Sequence, residues 1–136
     1  MVWEDWQGNE RRVSFGELQD TSRKFANALR AHGVERGERV ATLLPSLPET
    51  AAAFIGSYRA GAILLSLSVL YGDEGIKHRL EDSGAKVVVT NEANRDRIPI
   101  WKEAKLHGQN LRPAEWRKCC CKGGKSNDVK LFGLGV

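Results

Sequence analysis

Long apolar runs are missing from this 136-residue sequence, and even Ala60 to Leu70, interrupted by Ser66 and Ser68, falls well short of the ~20 residues that cross a bilayer. No membrane span is expected. Cysteine is scarce and crowded: all three residues fall in the run Cys119-Cys120-Cys121. Thiol ligands of structural metals come in spaced pairs, and here no second pair exists and His107 alone cannot complete a tetrahedron. Exposed thiols and no metal site are the expectation. The first residues, Met1-Val2-Trp3-Glu4-Asp5, lack the basic start and apolar stretch of a secretory leader, so a reducing compartment, the cytoplasm, is expected. Aromatic residues make up only 7% of the chain and hydrophobic ones 41%, which with this length allows one soluble domain and excludes a large multidomain enzyme.

A basic domain is excluded as well. The net charge of +4 splits unevenly: residues 1 to 101 hold 13 basic and 14 acidic side chains, whereas residues 102 to 136 hold 8 and 3. The body is close to neutral and the last quarter of the chain carries the positive balance. In that quarter Lys105, Lys118, Lys122, Lys125 and Lys130 are scattered among Gly, Asn and Cys without helix or strand periodicity, so 99 to 136 is expected to be a disordered basic tail. Gly124-Lys125-Ser126 has the ending of a phosphate-binding loop, but Cys119 stands where the first glycine is needed and no apolar strand precedes it. Trp101 and Trp116 are isolated and no RNA or DNA module is recognisable, so nucleic acid is not an expected partner.

What is present is a regular alternation of elements. Val2 to Trp6 and Arg11 to Val13 read as strands of a hairpin around Gly8-Asn9. Ser14, with Glu17 three residues on, forms a capping box that opens a helix from Phe15 to about His32, with Phe15, Leu18, Phe25 and Leu29 on its apolar face and Gly33 at its end. From Arg39 the pattern becomes strand, helix, strand, helix, strand. Val40 to Leu44 is an apolar strand, Pro48 and Glu49 open a helix that Gly61 breaks, and Ala62 to Ser66 reads as a strand covered on both faces. Asp73 to Gly84 bounds a helix with Ile76 and Leu80 inward, and Lys86 to Thr90 is the last strand. Strands joined by helices of this length imply right-handed crossovers and a parallel sheet, so the fold class is α/β: an N-terminal hairpin and helix followed by a βαβαβ unit. The apolar side chains on several sides of the Pro48 helix are more than three strands can cover, which fits a sheet selected inside something larger.

Five stretches, Ser14-Phe15-Gly16-Glu17-Leu18, Gly33 to Val40, Leu44 to Glu49, Arg59-Ala60-Gly61-Ala62 and Arg79 to Val87, together resemble the N-terminal subdomain of AMP-forming acyl-CoA synthetases, and the Leu67 to Gly75 segment is similar to that of the short- and medium-chain or aromatic acyl-CoA ligases. The resemblance covers roughly residues 2 to 98, giving a domain division at 98/99. It implies the chemistry of an acid-thiol ligase: ATP and Mg2+ activate a carboxylate to an acyl-adenylate, and the acyl group passes to coenzyme A. That chemistry needs a Ser/Thr/Gly-rich loop ending in Pro-Lys-Gly, an aromatic-Gly-x-Thr-Glu segment, a ribose-binding Asp and a C-terminal Lys, and none of the four is in the sequence. No catalytic residue is therefore expected in this chain, and Glu49, Asp73 and Glu74 are read as acids that favour helix N-termini. His32 and His78 are not read as general bases.

Arg95 and Arg97 are the candidate cofactor-binding residues. Asn91 to Ile98 resembles the basic stretch that in acetyl-CoA synthetases approaches the phosphates of coenzyme A, and guanidinium forks suit phosphate oxygens. The alternative, that both are exposed loop charges, is favoured by the shortness of the stretch. Three functions stay open: a truncated acyl-CoA synthetase fragment inactive alone, part of a split ligase that needs a complementary polypeptide, or a binding module that docks on an intact synthetase.

Overall fold

The computed structural model describes residues 1–98 and, beyond them, the backbone of Gln109–Asn110 and Lys130–Leu134. Strands β1 (Val2–Glu4) and β2 (Glu10–Arg12) form an antiparallel pair, followed by helix α1 (Phe15–Ala31), β3 (Arg39–Leu43), α2 (Pro48–Ala60), β4 (Ile63–Leu67), α3 (Asp73–Ser83), β5 (Val87–Asn91), the short α4 (Glu92–Arg95), β6 (Gln109–Asn110) and β7 (Lys130–Leu134). The α/β class and the order of elements from β1 to β5 are those expected. The main sheet has five strands in the order β4-β3-β5-β7-β6, every neighbouring pair parallel.

Local chemistry sets the boundaries. The Ser14 hydroxyl accepts from the Glu17 amide at 3.2 Å while the Glu17 carboxylate accepts from the Ser14 amide at 2.8 Å, the reciprocal capping box expected at the start of α1. At the other end Gly33 has φ 80°, its N–H bonds to the Arg30 carbonyl and the Val34 N–H bonds to Leu29, which closes the helix and brings Val34 onto Leu29 in the core.

The sheet is covered on both faces. Val40, Leu44, Val87 and Val89 pack beneath α1 and α2 with Phe25, Leu29 and Ala53, and Ala41, Leu43 and Val88 pack with Ile76 and Leu80 of α3 and with Ile98. The alternation of faces along β3 and β5 follows the period of two, and it works because helices lie on opposite sides.

Three expectations need correction. The first strand of the hairpin stops at Glu4: the Asp5 carboxylate accepts from the amides of Gln7 and Asn9 and from Asn9 Nδ2, folding 5–9 into a loop that leaves Trp6 91% exposed. Phe15 is 84% exposed, because the buried face of α1 begins only at Ser22. Strand β4 is not covered on both faces: it is the sheet's edge, with Ile63 55% exposed. Beyond residue 98, β7 pairs Lys130 to Leu134 with Val87 to Asn91 and β6 pairs with β7; the other residues of the tail expected to be disordered lie outside the described ones. The apolar run Leu131-Phe132-Gly133-Leu134 is the sequence signal for β7.

Candidate functional site: the carboxyl edge of the sheet

Strand β3 lies at the centre of the winding. From its carboxyl end the chain passes through α2 to β4 on one side, whereas β5 lies on its other side and leads on toward β7. Two adjacent strands whose connections depart in opposite directions open a crevice at their carboxyl ends, where open α/β sheets take ligands. In this chain the crevice is bordered by 44–47 after β3, 68–72 after β4 and 91–98 after β5. The strands are tied at that edge, where the buried Thr90 hydroxyl donates to the Leu43 carbonyl at 3.0 Å.

Both candidate arginines sit in the third segment. Arg95 is the last residue of α4 and half-buried, in the turn that leaves β5. Arg97, two residues on, turns back across the sheet's edge. Its Nη1 donates to the Val69 carbonyl at 2.7 Å and to Asn94 Oδ1 at 3.1 Å, its Nε to the Asp73 carboxylate at 3.1 Å, and its Nη2 to the Tyr71 carbonyl. The exposed-charge alternative therefore does not describe Arg97: its guanidinium joins the loop after β4 to the turn after β5. Beside it the Arg79 guanidinium stacks on the Tyr71 ring 4.2 Å from its centroid, and the Arg79 Nη1 donates to the Gly75 carbonyl. This clamp escaped the sequence reading because its main acceptors are backbone carbonyls of residues 26 and 28 positions earlier, and a carbonyl leaves no mark in residue identity.

The other candidates have structural partners. Glu49 is 7% exposed in the first turn of α2 and its Oε1 accepts from Arg11 Nη1 at 2.6 Å, so it pins the hairpin to the helix as well as facing the helix dipole; its Oε2 has no partner among the described residues. Trp3 Nε1 strengthens the same junction by donating to the Ser46 carbonyl at 2.6 Å. Asp73 stands on α3 as a contact of Arg97, Glu74 is exposed, and His32 shares a 2.8 Å hydrogen bond between Nδ1 and the Ala28 carbonyl. His107, Cys119 to Cys121 and Gly124-Lys125-Ser126 lie outside the described residues. Among the described residues no three His, Cys, Asp or Glu are grouped to hold a metal, and no helix is long and apolar enough to cross a membrane.

The perturbed carboxylates lie away from this edge. Asp5 and Glu17 are held below the ordinary carboxylate range, Asp5 first by the Asn9 side chain and Glu17 first by the Ser14 amide. At the amino end of the sheet, Lys86 Nζ donates to Glu38 Oε1 at 2.6 Å and to the Gly33 carbonyl at 2.7 Å. Burial opposes ionisation of Glu38, but the hydrogen bonds from Lys86 and the Glu35 amide, with the charges of Lys86 and Arg39, outweigh it and set its carboxyl below the usual 4.5. A carboxylate with a lowered folded-state pKa contributes stability above its unfolded pKa and loses it as pH falls through the folded value. The urea midpoint of the wild-type chain is therefore expected to decline below about pH 4.5, and Lys86→Met is expected to flatten the Glu38 share of that decline. A decline equally steep in Lys86→Met would remove Glu38 as a cause.

The geometry agrees with what the sequence is similar to. The model of the AMP-binding enzyme family matches residues 1–120, past Ile98 where the motifs stop. The chain is 37% identical over 81 residues to the 3-hydroxybenzoate--CoA ligase of an Aromatoleum strain, 60% of this chain and 16% of that protein. It is 37% identical over 91 residues to the human mitochondrial acetyl-coenzyme A synthetase 2-like protein, 66% of this chain and 13% of that one. The crystal structure of the Brucella canis acyl-CoA synthetase superposes with a TM-score of 0.74 at 28% identity, covering 99% of this chain and 20% of that one. The chain thus spans about a sixth or less of the curated relatives' length. A parallel sheet wound about β3, bearing the five motifs in order and matched over most of its length, makes this chain a member of the AMP-binding enzyme family, with the fold of the N-terminal part of an adenylate-forming enzyme.

Proposed function

We propose that this chain is the N-terminal scaffold piece of an AMP-forming acyl-CoA synthetase, acting in the cytoplasm, and that the 136 residues do not adenylate a carboxylate on their own. The relatives' names point to a short or aromatic acid as substrate class, and in the whole reaction ATP with Mg2+ would supply the adenylyl group and coenzyme A the accepting thiol. The residues present do not fit ATP and Mg2+: the sequence has no triphosphate loop, and no carboxylate cluster stands among the described residues. The basic turn after β5 suits part of coenzyme A better. What supports this is the position of Arg95 at the end of α4, in the turn that follows β5 at the carboxyl edge of the sheet, because guanidinium forks suit phosphate oxygens.

The test is calorimetric titration of the purified chain with ATP-Mg2+ and with coenzyme A, beside a pyrophosphate-release assay over acetate, propionate and benzoates. No pyrophosphate, no ATP heat, and weak coenzyme A binding reduced in Arg95→Ala are expected. Pyrophosphate release would overturn the assignment as a non-catalytic piece, and coenzyme A binding unchanged in Arg95→Ala would remove Arg95 from the site.

A further inference from the structure

The guanidinium of Arg97 bonds to four groups from two separate segments, and none of the four is a ligand. The first segment is the loop that leaves β4, caught at the Val69 and Tyr71 carbonyls, together with the first residue of α3, Asp73. The second is the Asn91–Ile98 turn itself, caught at Asn94, whose Nδ2 in turn donates to Asn91 Oδ1 at 2.7 Å. The Arg97 N–H bonds to the Asn94 carbonyl and the Ile98 N–H to the Arg95 carbonyl, so the turn that bears Arg95 is closed by the same residues the clamp holds. Besides this clamp the loop is held by Arg79 stacked on Tyr71, by the Tyr71 and Leu70 amides bonded to Ser68, and by Val69 against the core, while Leu70 stays 90% exposed.

We propose that Arg97 is a positioning residue for the anion site at the crevice rather than one of its phosphate contacts: it locks the loop after β4 to the turn after β5, and through that turn it sets the place of Arg95. The proposal rests on the coenzyme A reading above. A fork is needed because acceptors on two segments must be met from one planar group, and a lysine with the same charge has a single nitrogen to offer. The two arginines then divide the work, Arg95 presenting charge to the ligand and Arg97 removing the freedom that Arg95 and its loop would otherwise lose on binding.

Calorimetry of the full chain with coenzyme A at low and moderate salt, beside amide hydrogen exchange over Val69 to Asp73, separates the roles. Arg97→Gln and Arg97→Lys are both expected to weaken coenzyme A by about tenfold, the size of effect that comes from ordering one or two side chains on binding. Both are expected to keep the wild-type salt dependence and to speed exchange at Val69 to Asp73. Arg95→Gln is expected to reduce the salt dependence, because a screened charge contact is lost, while leaving exchange in the loop as it was. Should Arg97→Gln lose its fold, Asp73→Asn trims a single exposed contact of the clamp and is expected to move affinity and exchange in the same direction by less. The proposal is overturned if Arg97→Gln lowers the salt dependence as Arg95→Gln does, if Arg97→Lys binds as wild type, or if loop exchange does not change. A wild-type chain that gives no heat with coenzyme A overturns the coenzyme reading and the positioning role together, and the exchange data then show separately whether the clamp holds the loop.

Discussion

Phe25→Ala is expected to cost about 3 to 5 kcal/mol of unfolding free energy, the range for removing a large aromatic from a packed core. Phe25 is 2% exposed on the inner face of α1, in the same cluster as Leu29, Ala53, Val40 and Val89, so it stands where two helices and the sheet meet. Apart from Leu29 and Leu44 the cluster consists of alanines and valines, and short side chains on fixed backbones have little reach with which to refill the space. A domain of this size has about 5 to 15 kcal/mol in total, so the variant keeps little margin at best. Equilibrium urea unfolding followed by far-ultraviolet circular dichroism measures it, with a fall in midpoint at constant slope as the expected form. A loss under about 1 kcal/mol, the scale of an ordinary surface change, would mean that Phe25 does not hold the layers together.

How much of this was legible in the sequence depended on whether the signal was local. The capping box at Ser14, the glycine stop at Gly33 and the broken helix at Gly61 are decided within five or six residues, and each was read where the structure has it. The parallel order around β3 followed from strand and helix lengths and from the one hand that crossovers take. Failures began where a partner distant in sequence decides. Phe15 fits the periodicity of α1 but lies a turn before its contact with α2, which no pattern within α1 reveals. Ala62 to Ser66 has the composition of a central strand, yet in the described sheet it is an edge, because strand order is set by pairing with distant segments that composition does not encode. The candidate site divided in the same way. That a basic pair follows β5 was visible; that Arg97 spends its donors on carbonyls after β4 depends on tertiary approach. Glu49 was read as a helix-dipole acid, and its pairing with Arg11 across 38 positions was beyond reach.

Gly56→Ala is expected to be destabilising by about 2 kcal/mol although alanine favours a helix over glycine by about 1 kcal/mol, because overpacking at a close helix crossing outweighs the propensity gain. A Cβ at Gly56 would lie 2.7 Å from Phe25 Cδ1, 2.8 Å from the Ser22 carbonyl oxygen and 3.0 Å from Phe25 Cβ. Real contacts do not come so close, and two of the three atoms belong to the backbone of α1 or stand next to it, so the helices must separate rather than one side chain turn aside. Separation loosens the whole seam of Ser22, Ala26, Ala52, Ala53 and Ala60 that the small residue at 56 allows. Because the new methyl and the Phe25 ring compete for one space, the two substitutions must couple. Phe25→Ala removes the ring atom that Gly56→Ala strikes, and the double variant is expected to be more stable than the sum of the single losses predicts, by about 1 kcal/mol or more. The Ser22 carbonyl remains in the way, so the rescue stays partial. Strict additivity in urea would show that the ring is free to move aside and that the carbonyl alone sets the distance between α1 and α2.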